Sequence, residues 1–267
     1  MSMIVRISTL AAAVILSLGA AFADNQEGAK GVMETGFLNK SITVHEKESR
    51  FVVYVPAGYN AEKAWPLIVF LHGAGERGDD GVVQSKVGIG PAIEKNPERF
   101  PAIVLMPQCP KDTAWNTEHD VLEAQMEWAR QTYNIDEKRI YLTGLSMGGY
   151  GTWLWGAIKI DTFAALIPIC GGGDPEFILQ RLGTAGGNPY GSQASRLRAL
   201  AKVPIWAFHG GADDVVPPAQ SRDMVEALKA RGGNVKYTEY EGVGHNAWDA
   251  TYQDAEVIAW LLEQHKE

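Results

Sequence analysis

The chain has 267 residues, 46% of them hydrophobic and 21% charged, with a formal net charge of −8 at pH 7. That is enough apolar material for one sizeable core and too much for a disordered chain. With no cluster of Lys and Arg, the acidic balance argues against nucleic acid and anionic lipid as partners, because both present negative surfaces.

Residues 1–23 read as a secretory signal peptide. MSMIVR supplies one Arg, ISTLAAAVILSLGAA is an apolar run short of the roughly 20 residues a spanning helix needs, and Ala21-Phe22-Ala23 fits a small-x-small cleavage site. The mature protein is expected to be soluble, secreted or periplasmic, with no stable membrane insertion. After a polar amino-terminal extension (24–40), SITVHE and RFVVYVP flank the charged turn KES and predict an antiparallel hairpin.

From there apolar strands alternate with helical patterns. PLIVFL (66–71), AIVLMP (102–107), RIYLTG (139–144), FAALIP (163–168), VPIWAFHG (203–210) and VKYTEY (235–240) are rich in β-branched and aromatic residues and bounded by Gly, Pro or charge. Helices are expected at about 119–133, 147–158, 218–231 and 248–264. In the first, Val121, Leu122, Met126 and Ala129 recur at helical spacing. The pattern predicts an α/β fold with a mostly parallel sheet wrapped on both faces, its working loops at the strands' carboxyl ends. The Gly-, Ser- and Asn-rich stretch 171–198 is the one long irregular connection and reads as a wall or lid. Cys109 and Cys170 each follow a strand, and those strands are not expected to be neighbours, so both are read as free, partly buried thiols.

LHGAGERGDD (71–80) holds a formal GxGxxG in Gly73, Gly75 and Gly78. A dinucleotide fingerprint would open a helix at the third Gly and carry an acid near the end of the next strand. Instead DDGVVQSKVGIGP follows, and the next strand ends Met106-Pro107-Gln108. A metal cage from His72, Glu76, Asp79 and Asp80 would serve no step of the chemistry read below, and neither CxxC nor HExxH occurs.

RIYLTGLSMGGYGTW (139–153) places GxSxG as Gly144, Ser146 and Gly148 between a strand and a helix. Such a turn strains the Ser backbone and exposes its hydroxyl, and the flanking glycines let the chain pass without Cβ clashes. A Ser hydroxyl needs a base to take its proton. FHGGADDVVP (208–217) offers Asp213 and Asp214 after one strand, and EGVGHNAWD (241–249) offers His245 after the next. The D-x-x-V-P spacing favours Asp213 over Asp214. His72 and His209, each before a Gly at a strand end, read as loop-shaping residues.

The elbow GLSMGGYG with its lead-in IDEKRIYLTG, the acid loop FHGGADDVVP and the base loop GHNAW together resemble the serine carboxylesterases of the α/β-hydrolase superfamily. The nearest likenesses are secreted bacterial phospholipase/carboxylesterase and polyhydroxyalkanoate-depolymerase/feruloyl-esterase-like proteins, over about residues 50–250. The resemblance implies a catalytic domain at 41–267 without a large lid domain. It also implies an oxyanion hole built from the backbone N–H groups of Ala74 and Met147, with Gly73 and Gly75 freeing the loop to present the first. Ser146 would attack an ester carbonyl, His245 would act as base and Asp213 would orient it, with no cofactor and no metal. Activity should rise with pH as the base loses its proton.

Substrate is expected to be a small-molecule or polysaccharide-linked ester, with feruloyl and acetyl esters of plant polysaccharide as candidates. Trp115, Tyr190 and Trp248 are candidate pocket residues, Trp115 being equally a packing residue. Trp153 and Trp155 read as core. Glu76 and Arg77 either orient a hydroxylated substrate or stiffen their loop as an ion pair. Ester is preferred to peptide because no propeller or other gating domain is apparent. A prolyl-oligopeptidase-like peptidase and a non-catalytic binding protein on a hydrolase scaffold are the alternatives.

Overall fold

Two antiparallel strands, β1 (Gly36–Val44) and β2 (Lys47–Val55), open the fold, with Gly36 opposite Val55 and Val44 opposite Lys47. The computed structural model describes residues 33–173, 175 and 193–267. His45 and Glu46 join the two strands with φ of 48° and 63°. Two consecutive positive φ values make the turn whose twist matches paired strands. KES is therefore the start of β2 rather than the turn. β1 also takes up residues 36–40 of the stretch expected to be an extension. As an outer strand paired on one side only, it keeps polar side chains in solvent, which disguised it as loop.

Six further strands follow: β3 (Trp65–Leu71), β4 (Ile103–Pro107), β5 (Ile135–Leu145), β6 (Ala165–Ile169), β7 (Ile205–Gly210) and β8 (Val235–Tyr240). The sheet order is β1-β2-β4-β3-β5-β6-β7-β8, parallel from β4 onward. β2 meets β4 antiparallel, so the hairpin extends one edge. β3, β4 and β6 are buried at every residue, as strands covered on both faces must be.

The helices are α1 (Ile89–Lys95), α2 (His119–Thr132), α3 (Met147–Ile158), α4 (Gln193–Leu200), α5 (Ala219–Lys229), α6 (Trp248–Gln253) and α7 (Ala255–Glu263). Leu122, Met126 and Ala129 of α2, Trp153 and Trp155 of α3 and Met224 and Leu228 of α5 join one core with Leu67 and Val69. Ile93 of α1, Tyr252 of α6 and Ile258 of α7 join the other with Ile68 and Phe70. Successive residues of β3 thus feed opposite layers. The single helix expected over 248–264 is two, because Asp254 interrupts it and its side chain accepts from Glu256 N at 2.9 Å, capping α7.

Among the described residues no helix is long and apolar enough to cross a membrane. The expected signal peptide, residues 24–32 of the extension, Tyr190 and most of the 171–198 connection lie outside the described residues.

Candidate active site

β3, β5, β7 and β8 end on the same side of the parallel sheet, and each hands one chemistry-bearing residue to the loop beyond it. Ser146 sits between β5 and α3 at φ 52° and ψ −117°, a conformation non-Gly residues avoid. Its backbone is held there by Ser146 N donating to Ile169 O at 2.9 Å. A Cβ at Gly148 would lie 1.9 Å from Leu71 O, and one at Gly144 would lie 2.4 Å from Gly148 O. Both glycines are thus dictated by how closely α3 meets the end of β3.

His245 Nε2 lies 3.0 Å from Ser146 Oγ, and its Nδ1 lies 2.7 Å from Asp213 Oδ2. Asp213 Oδ1 accepts the Val215 and Val216 amides at 2.9 Å each. Burial pushes the Asp213 carboxyl up, but the bonds from His245, Val216 and Val215 outweigh it and hold the carboxyl below its ordinary value. Asp213 is buried, whereas Asp214 next to it is exposed. The fold therefore brings Ser146, His245 and Asp213 into one hydrogen-bonded row and leaves Asp214 in solvent.

Ala74 opens the 3₁₀ turn Ala74–Glu76 and Met147 opens α3, so neither N–H has an acceptor within its own helix. A Cβ at Gly73 would lie 3.0 Å from Leu145 Cδ1 and 3.1 Å from Glu76 Oε2, side-chain ends that would have to give by a few tenths of an ångström, so the loop packs tightly at this glycine. Gly75 has nothing within 4 Å of an added Cβ, and the expectation that it serves the same purpose is corrected.

A match to the prolyl oligopeptidase family covers residues 107–267, which include Ser146, Asp213 and His245. The chain belongs to the prolyl oligopeptidase family. The solved structure of a thermostable esterase superposes with a TM-score of 0.70 at 37% identity, covering 86% of this chain and 63% of that one. A poly(3-hydroxyalkanoate) depolymerase C of Paucimonas lemoignei is 25% identical over 218 residues, 71% of this chain and 48% of the depolymerase. A bifunctional acetylxylan esterase/xylanase of Neocallimastix patriciarum is 31% identical over 106 residues, 40% of this chain and 12% of that protein. The chain spans less than half the length of the curated relatives it matches. The chain has the α/β-hydrolase architecture: a mostly parallel sheet between helices, with an antiparallel hairpin at one edge.

The rim residues separate into two groups. Trp248 stands edge-on to His245, ring centroids 5.2 Å apart, and is half-buried beside the row. Trp115 is 2% exposed, its Nε1 donating to His72 O at 2.9 Å, so it packs in the core and is not a pocket wall. Arg77 donates to Ala74 O at 3.0 Å and Thr113 O at 3.3 Å. It stiffens the loop through backbone carbonyls rather than as the expected ion pair with Glu76. Glu76 is partly buried behind Gly73, its Oε2 3.9 Å from His72 Nδ1. Trp153 and Trp155 are wholly buried.

His72 is a fixed strut. Cys109 N donates to its Nε2 at 2.9 Å, so Nδ1 carries the proton and donates to Gly73 O at 2.6 Å. Burial pulls its pKa down to about 4. Sequence reasoning missed Gln108, whose Oε1 accepts Gly81 N at 2.6 Å and whose Nε2 donates to Glu76 O at 3.1 Å. Its only signal was a buried amide directly after a strand, opposite a glycine-rich loop.

Cys170, His209 and Asp213 are the one set of His, Cys and acidic side chains among the described residues grouped within 4.8 Å. His209 Nε2 lies 2.9 Å from Val216 O, an acceptor, so that nitrogen carries a proton and has no lone pair for a metal. The imidazole is instead tied to the acid loop through Val216 O.

Proposed function

We propose that this protein is a serine carboxylic ester hydrolase working through an acyl-enzyme. The observation that carries the reading is the continuous row from Ser146 Oγ through His245 to Asp213, with the nucleophile on a strained turn between two obligatory glycines. His245 Nε2 takes the Ser146 proton as Oγ attacks the ester carbonyl. Asp213 holds the imidazole with Nδ1–H toward itself, leaving Nε2 free as base, and stabilises the imidazolium that forms. The amides of Ala74 and Met147 receive the developing oxyanion, and such preorganised donors are often the largest catalytic term. Imidazolium then protonates the leaving alcohol, and water activated by His245 releases the acid.

The thermostable esterase likeness supports ester over peptide as substrate. The acetylxylan esterase relative supports acetyl groups on plant polysaccharide as the natural substrate class, with feruloyl esters of the same polysaccharides the candidate beside it. An export signal over residues 1–23 would place the enzyme where such esters occur. The family's description favours a second reading, hydrolysis of peptide bonds.

Turnover of acetyl, butyryl, long-chain and feruloyl esters, compared with a peptide amide, tests the proposal, with Ser146→Ala as control. Ser146-dependent ester turnover is expected. Preference for the amide would replace the reading with the peptidase, and an inactive wild type would leave a binding protein on a hydrolase scaffold.

A further inference from the structure

His209 takes no part in those steps, yet it lies fully buried directly behind the acid. Its Nε2 is 2.9 Å from Val216 O and 3.1 Å from Asp213 Oδ2. On the other side of the ring, Nδ1 is 2.7 Å from Ser221 Oγ, which is itself 2.7 Å from Gly171 O. Because Val216 O can only accept, Nε2–H points into the acid loop, and the Ser221 hydroxyl proton is shared between Nδ1 and Gly171 O.

The acid loop is consequently closed at both ends. Val216 N donates to Asp213 Oδ1, while Val216 O receives the proton of His209. Oδ2, which accepts from His245, has the same His209 N–H beside it. Rotation of the carboxylate away from His245 would have to break this closure.

We propose that His209 is a positioning residue for the base–acid pair: through Val216 O and Asp213 Oδ2 it keeps the carboxylate facing His245 Nδ1, with Ser221 of α5 fixing the plane of its ring. The inference rests on the acyl-transfer reading above. The titratable groups facing His209 are Asp213 on its own loop, Cys170 beyond β6, His245 beyond β8 and Glu239 of β8. Burial keeps His209 below the usual imidazole range and the Cys170 thiol above the usual range, so both stay neutral while His245 works.

His209→Phe keeps the bulk and removes the donor. His209→Gln returns an N–H at the reach of Nε2. Melting temperature, kcat, KM, the acid limb of the pH–rate profile and the low-field proton resonance of His245 Nδ1–H are measured for both. His209→Phe is expected to lose about 100-fold in kcat, the scale set by a misplaced catalytic group, with KM little changed. Its acid limb should move to lower pH, because the imidazolium loses its carboxylate, and the low-field resonance should disappear. His209→Gln should recover most of each.

Unchanged kcat in His209→Phe overturns the proposal. So does equal impairment of both variants with an unmoved acid limb, the mark of packing alone, or a limb moved to higher pH, the mark of a donor that merely weakens the acid. If the wild type shows no Ser146-dependent turnover, the esterase reading fails by itself. The resonance then decides for His209, and its persistence in His209→Phe overturns the brace.

Discussion

A buried imidazole that never touches substrate couples the site to pH through stability. His72 is fully buried, accepts the Cys109 amide and donates to Gly73 O, and so joins the end of β3 to the end of β4. With its pKa pulled down to about 4 from the ordinary 6.5, the unfolded chain binds a proton there before the folded one does. The stability this contributes is complete above the unfolded value and is lost as pH falls through 6.5 toward 4. At pH 5 the loss from this one residue is about 2 kcal/mol. Urea midpoints at pH 7.5 and pH 5 measure it. His72→Gln, although less stable at both, should show a smaller difference between them; an equal difference would mean that another group carries the slope.

At the level of elements, the junction of β5, α3 and β3 has the least tolerance. An added methyl at Gly148 would lie 1.9 Å from Leu71 O and 2.8 Å from His72 O, backbone atoms in the middle of the sheet that cannot swing away. Gly148→Ala should therefore force α3 off β3, with a cost of about 3 kcal/mol or more and loss of Ser146-dependent turnover. Gly75→Ala, where the added atom meets nothing within 4 Å, should leave both intact. Thermal melts and ester turnover of the pair distinguish a steric requirement from a general intolerance of the loops. Gln108→Ala releases Gly81 N and Glu76 O. It should lower kcat about tenfold, by loosening the turn that carries Ala74, with a smaller effect on the melt.

The same junction shows what was readable from residues alone. Ser146 and Asp213 follow strands whose carboxyl ends are buried and apolar, whereas His245 follows the half-buried edge strand β8; in each case a strand that gives way to a small set of polar residues announces its loop. Trp115 could not be sorted that way: an indole after a strand looks the same in sequence whether its N–H meets a backbone carbonyl or faces a pocket. The helix α1 was missed because IGPAIEK is only about two turns long and carries Gly90 and Pro91 in its first turn. The hairpin turn was misplaced because His45 and Glu46 adopt positive φ without a glycine to signal it.

At the scale of the whole molecule, the order of the sheet decides the state of the cysteines. Cys109 follows β4 and Cys170 follows β6, and β3 and β5 lie between them. Three strand spacings of about 4.8 Å put the two ends roughly 14 Å apart, twice the reach of a disulfide. Both thiols are fully buried rather than partly so, and burial pushes each pKa up to about 11, so neither offers a thiolate at neutral pH. An oxidising compartment would permit a bridge that this topology forbids. The native protein should leave a thiol reagent such as dithionitrobenzoate unreacted, both cysteines should react in guanidinium without prior reduction, and the melting temperature should be the same with and without reductant. A denatured, unreduced chain with no reactive thiol would mean that the two are bonded, which would require β4 and β6 to be closer than the parallel order places them.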